Sequence, residues 1–239
     1  MGRISRVVAQ GIPHHITQRG NARQVVFDDA KDRRVYLKLL RSYAEKYRLR
    51  IWAWCLMSNH VHLLAVPETA ESLKRTLGQT HHDYARYRNA ELATCGHLWQ
   101  SRYYSCPVDQ PGIWPVMAYI ERNPVRAGLV QLAEDYVWSS AGAHVIGRDQ
   151  EDFVDMSPWR AAYTAERWRD ILQLGIEEEA LQERLRLATL TGRPFGSDQF
   201  IEELELNSNR ALKLKSVGRK RKGEEVANQA QQSLLTIGV

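Results

Sequence analysis

Met57-Ser-Asn-His60-Val-His62-Leu-Leu-Ala-Val66 reads as a tight turn running into an apolar strand. Side chains alternate across a strand, so His60 and His62 share one face, about 6–7 Å apart along the chain. Val61 and Leu63 take the other face. Two imidazoles on one sheet face can close on a divalent cation, with N–metal bonds of about 2.0–2.3 Å. The rival reading is a surface or hydrogen-bonded pair, because H-x-H spacing often arises by accident.

Working outward, Ile51-Trp-Ala-Trp-Cys-Leu-Met57 is a second apolar run, and Ser58-Asn59 joins it to the histidine strand as a hairpin. Upstream, Asp28-Asp29 caps a helix reaching about Tyr47, with Val35, Leu39 and Tyr43 at four-residue steps and Tyr36 and Leu40 beside them. Before it, Pro13 and the β-branched pair Ile16-Thr17 favour a strand ending at Gly20-Asn21. His14 and His15 face opposite sides of that strand, and one of them is expected to be packed or hydrogen-bonded. Downstream, residues 71–89 form a helix with Leu73, Leu77, Tyr84 and Tyr87 inward and Lys74, Arg75, Arg86 and Arg88 on its polar face. A strand is expected over 96–105 and a helix over 111–122. Asn123-Pro124 breaks that helix, and Asn123 suits the N-cap of a short successor. The order β-α-β-β-α-β-α predicts an α+β, ferredoxin-like sandwich, an antiparallel sheet with helices on one face.

The 239 residues suffice for one large domain, and 44% hydrophobic content supports a packed core. No apolar run of about 18 residues predicts a membrane span. Cys55, Cys95 and Cys106 are odd in number and widely spaced, which suits a reducing cytoplasm rather than a disulfide framework. The net charge of +5 is unevenly spread: residues 1–50 carry twelve Lys/Arg against four Asp/Glu, 149–183 three against ten, and 184–222 ten against four. Basic ends around an acidic middle suit an anionic partner, nucleic acid first, or else solvated helix faces. The composition shift divides the chain into residues 1–148 and an extension, 149–239. That extension is acidic, then helical and basic, with a disordered tail.

Three pieces now stand in order: Ser58-Asn-His-Val-His62; Gly96-His-Leu-Trp-Gln-x-Arg102; and Tyr119-Ile-x-x-Asn123-Pro-Val125 with Ala127-Gly128. Together they closely resemble the single-tyrosine HUH transposases of bacterial insertion sequences, and more narrowly the REP-associated tyrosine transposases, over about residues 1–145. The resemblance implies cleavage and strand transfer of single-stranded hairpin DNA through a 5′-phosphotyrosine. Tyr119 would be the nucleophile, His60 and His62 the ligands of Mg²⁺ or Mn²⁺, and Asn123 a third ligand, shorter than the Gln often found there. It implies a short guide sequence beside the hairpin, read by the N-terminal segment, and a monomer. Dimers of the wider group exchange the tyrosine helix.

Arg3, Arg6, Arg19 and Arg102 are candidate DNA contacts, to phosphates or guanine edges. Trp99 and Tyr103 either stack on unpaired bases or pack in the core. Lys220, Arg221 and Lys222 suit salt-sensitive nonspecific affinity. Tyr84 and Tyr87, also on a helix, compete with Tyr119. The acidic 149–183 stretch suits a mask over the site. Two other readings use the same residues: a non-catalytic binder of structured DNA or RNA, and a hydrolase of small phosphoesters. The lack of a carboxylate cluster disfavours the hydrolase.

Overall fold

The computed structural model describes residues 4, 6–175 and 179–213. Arg3, the basic run at 220–222 and the expected disordered tail lie outside the described residues. Strands β1 (His14–Arg19), β2 (Leu49–Met57), β3 (His60–Pro67) and β4 (Tyr104–Pro107) form one antiparallel sheet in the order β2-β3-β1-β4. That is the ferredoxin-like strand order. Central β1 pairs with β3 so that His15 lies opposite Leu64, Thr17 opposite His62 and Arg19 opposite His60. Partners opposite one another project to the same face, so these residues share a side of the sheet.

Helices α1 (Ala30–Lys46) and α2 (Ser72–Glu91) cover the other side. Asp29 caps α1 by accepting from the Asp32 amide at 2.9 Å. The stripe that α1 buries is Tyr36, Leu40 and Ala44, one residue further on than the steps through Val35 imply. These pack with Leu73, Leu77 and Tyr84 of α2 against Ile16, Val61 and Leu63 of the sheet. Arg88 is not on a polar face. It is buried and pairs with Asp28 and, at 2.8 Å, with Asp32. This ties the end of α2 to the start of α1.

The strand expected over 96–105 forms only at Tyr104–Pro107. Ahead of it, Trp99 meets the sheet through a single bridge to Gly20, and its indole donates to the His81 carbonyl at 3.0 Å. Leu98, Trp99 and Tyr103 are core residues here, so neither aromatic is free to stack on bases.

The second face is covered by helix α3 (Ile113–Glu121), the single turn α4 (Asn123–Arg126), α5 (Ala141–Ile146), α6 (Ser157–Ala162), α7 (Ala165–Leu174) and α8 (Glu179–Thr191). A last helix, α9 (Asp198–Ser208), packs through Leu204 against Val7. Val116, Met117 and Ile120 of α3 share one apolar cluster with Trp168, Leu172, Leu185 and Phe195. The region after 148 thus joins the core on this face. Glu121 is buried at its centre and accepts from Ser140 Oγ at 2.5 Å, His144 Nδ1 at 2.5 Å and Trp168 Nε1 at 2.9 Å. Three donors offset the cost of burying the carboxylate and fix α3 to α5 and α7.

The Arg88–Asp32 pair generates a stability test. Arg88→Ala leaves a buried carboxylate without its counter-charge, and about 3–5 kcal/mol of unfolding free energy is expected to be lost. Urea unfolding checks this, and the joint Arg88→Met, Asp32→Leu variant is expected to regain most of it.

Candidate active site

A cleft of about 550 Å³ opens between the second sheet face, α3–α4 and α8. His15, Thr17 and Arg19 of β1, His60 and His62 of β3, and Tyr104 of β4 form its floor. Alternation along paired strands puts them there together. Gly20 ends β1 beside this floor, and a Cβ on it would lie 2.3 Å from the Gln24 carbonyl oxygen, so no other residue fits the close turn.

Tyr119 projects from α3 into the cleft. Its ring stands edge-on to His62 at 5.7 Å and to His15 at 5.9 Å between centroids. The rings of His60 and His62 are 5.0 Å apart. The Arg126 guanidinium lies over the Tyr119 ring at 4.7 Å. Arg19, Arg23, Arg126 and Arg186 all line the cleft, so the tyrosine is surrounded by positive charge suited to a phosphodiester.

Asn123 is not an N-cap. It is already inside α4, and its Nδ2 donates to the carbonyls of Tyr119 at 2.8 Å and Ile120 at 3.2 Å. It thereby closes the end of α3, whose last carbonyls lack helical partners. With Nδ2 so engaged, the other polar atom of its side chain is Oδ1, an oxygen donor of the type that Mg²⁺ and Mn²⁺ accept.

Burial, and then the nearby Arg19, lowers the His60 pKa to about 4. Burial lowers that of His15 to about 3. Burial, followed by His60, His15 and two arginines, holds His62 well below the usual range. All three imidazoles are therefore neutral near pH 7, the state a metal ligand needs. Among the described residues no group of three or more His, Cys, Asp and Glu is arranged to hold a metal ion. The donor set that fits a cation here is two imidazoles with an amide oxygen. His60 Nδ1 donates to Asn59 Oδ1 at 2.6 Å, which leaves its Nε2 lone pair for a ligand.

Of the residues expected from sequence, His60, His62, Tyr119, Asn123 and Arg19 come together. Arg6 and Arg102 do not line the cleft; the Arg6 guanidinium stacks on Tyr103 at 3.8 Å. Tyr84 and Tyr87 are on the opposite face, donating to the Val26 carbonyl at 2.6 Å and to Asp32 at 3.0 Å. They are structural. Of the acidic 149–183 stretch, Gln182 and Glu183 line the cleft. The sequence reading missed His15, Arg126, Arg186 and Thr189. The spacing Tyr119, Asn123, Arg126 follows one helical face and carried a signal for Arg126. The α8 residues left none, since they meet the cleft only through tertiary packing.

Residues 9–123 match the family model described as "Transposase IS200 like". This segment, which holds His60, His62, Tyr119 and Asn123, belongs to the IS200-like transposase family. Membership places it among enzymes that bind, cut and transfer DNA in transposition. Two similar solved structures are a REP-associated tyrosine transposase bound to a REP hairpin and a putative transposase from Deinococcus radiodurans R1. The first is 18% identical, covering 61% of this chain and 86% of that one, with a TM-score of 0.49. The second is 22% identical, covering 50% and 96%, with a TM-score of 0.35. No curated protein matches the chain. No described helix is long and apolar enough to cross a membrane.

The buried imidazoles generate a pH prediction. His14 and His60 titrate near 4, and His15 and His81 near 3, all through burial, against about 6.5 when unfolded. Below pH 6.5 the unfolded chain binds more protons than the folded one. Stability is therefore full above 6.5 and falls as pH drops towards 4, by at most about 1.4 kcal/mol per pH unit for each imidazole. Urea midpoints at pH 7.5 and 5.0 check it; equal midpoints would contradict it.

Proposed function

We propose that the chain cuts single-stranded DNA beside a hairpin of the REP type and rejoins it through a 5′-phosphotyrosine on Tyr119. A divalent cation, Mg²⁺ or Mn²⁺, is held by His60, His62 and Asn123. The observation that carries this is Tyr119 edge-on to His62 at 5.7 Å, in a cleft lined by four arginines. We take the chain to act as a monomer, with Tyr119 serving its own histidine pair and no exchange of the tyrosine helix. We assign the chemistry to residues 1–148, and α8 of the extension, 149–239, forms one wall of the cleft.

The Tyr119 hydroxyl attacks the scissile phosphorus, and the P–O3′ bond breaks. The phenolic proton leaves Tyr119 and the released 3′ oxygen gains one, so the step is proton-neutral. The bond energy is kept in the phosphotyrosine, so attack by a 3′-hydroxyl reverses the step and joins strands without ATP. A free phenol, with a pKa near 10, is a poor nucleophile at neutral pH. Arg126, already against the ring, and Arg19, beside His60, are placed to neutralise the phosphate and the developing charge. The cation, when bound, polarises the phosphoryl oxygens and stabilises the leaving oxygen. Arg3, Arg6 and Arg102 we assign to flanking DNA.

A purely binding role fits less well. Ferredoxin-like sheets that hold single strands do so on an open face. Here α1 and α2 pack on one face, and α3 with the extension on the other.

The test uses 5′- and 3′-labelled hairpin DNA, Mn²⁺ and a denaturing gel. Wild type is expected to carry DNA covalently through its 5′ end, and Tyr119→Phe to bind the hairpin without forming the adduct. Equal cutting by both would overturn the assignment. A hairpin that is bound but never cut would favour a regulator. In the same assay Arg126→Ala is expected to slow cleavage about a hundredfold, the usual cost of removing one donor to transition-state charge.

A further inference from the structure

His15 and Thr189 join β1 to α8 beneath the histidine pair. Thr189 Oγ1 lies 2.7 Å from the Leu185 carbonyl oxygen, one helical turn back. A carbonyl can only accept, so the hydroxyl proton sits between them; otherwise two oxygens would face each other with lone pairs alone. His15 Nδ1 is 2.8 Å from the same Oγ1. The hydroxyl proton being spent, His15 must be the donor there, and Nδ1 carries its hydrogen. The Cys106 thiol, 3.3 Å from that oxygen, is a further donor to it.

A neutral His15 protonated at Nδ1 has a bare Nε2. That atom lies 3.1 Å from His62 Nδ1, so the proton in this contact belongs to His62. His62 then carries hydrogen on Nδ1 and a lone pair on Nε2. The His15 and His62 rings are near-parallel, 13° apart, with centroids at 5.4 Å. Donation therefore runs from His62 to His15 to Thr189 to the Leu185 carbonyl. Free neutral imidazole exchanges between its two tautomers; here one is imposed by a helix acceptor more than 120 residues away in sequence.

We propose that Thr189 and His15 are positioning residues that lock His62 in its Nδ1–H tautomer and so keep its Nε2 bare for the cation. This rests on the reading of His60 and His62 as metal ligands. It gives the extension a role in the site: Thr189 of α8, through His15, orients the imidazole of His62. His60 is set to the same state by a different partner, Asn59.

The experiment is ¹⁵N NMR of the histidine side chains in the full, metal-free chain, with Mn²⁺ titration of the same samples. Wild type is expected to show His62 as Nδ1–H. Thr189→Val is expected to release it into a tautomer mixture and to weaken Mn²⁺ binding about tenfold or more, as loss of the groups that orient a metal-binding imidazole does. Thr189→Ser, which restores the hydroxyl, is expected to recover both, which separates the relay from mere damage to packing. A wild-type His62 protonated at Nε2, or a Thr189→Val variant with the tautomer unchanged, would overturn the proposal. A His62 tautomer that follows Thr189 in a protein with no Mn²⁺ affinity would uphold the relay and sink the metal reading instead.

Discussion

The pairing of β1 with β3 is the constraint on which the site depends. Its register sets Arg19 opposite His60 and Thr17 opposite His62, with His15 one pleat further along on the same face. A slip of one residue would turn the imidazoles into the packing of α1 and α2 and bring Val61 and Leu63 to the cleft. The apolar alternation of β3 forbids that slip. Burial of Ile16, Val61 and Leu63 on the helix-covered face is therefore what aims His15, His60 and His62 at Tyr119.

Once the face is chosen, its electrostatics follow. Burial opposes protonation of all three imidazoles, and nearby arginines add repulsion at His60 and His62, so they stay neutral. The positive charge of the cleft is left to its guanidinium groups. A neutral donor pair inside a cationic rim suits a divalent cation together with a phosphodiester; either anion or cation alone would find half of its partners missing. The fixing of α3 by Glu121 adds rigidity on the side of the nucleophile, since Ser140 just ahead of α5, His144 in α5 and Trp168 in α7 hold the residue two positions past Tyr119.

Much of the fold was legible because it is written in local pattern. The β2–β3 hairpin, the cap at Asp29 and the apolar steps of α1 and α2 each depend on residues a few positions apart. The histidine pair and Tyr119 were readable for the same reason, through short motifs. What was not legible depends on long-range contact. Arg88 looks like a surface arginine until Asp32 is placed beside it, and Gly96–Tyr103 alternates like a strand although its aromatics serve the core under α2. Asn123 before a proline carries the signature of an N-cap, yet its amide turns back to the carbonyls of α3. His15 was separated from His14 by parity alone, and its bond to Thr189 spans 174 residues.

The central claim is that the cleft joins a bare-nitrogen histidine pair to a tyrosine nucleophile around one cation. Anomalous diffraction from Mn²⁺-loaded crystals of the full chain tests it most directly. The expected result is a single strong peak bounded by Nε2 of His60 and Nε2 of His62, in the cleft that Tyr119 enters. Absence of a peak there at saturating Mn²⁺, or a peak held by other side chains with both histidines unengaged, would contradict it.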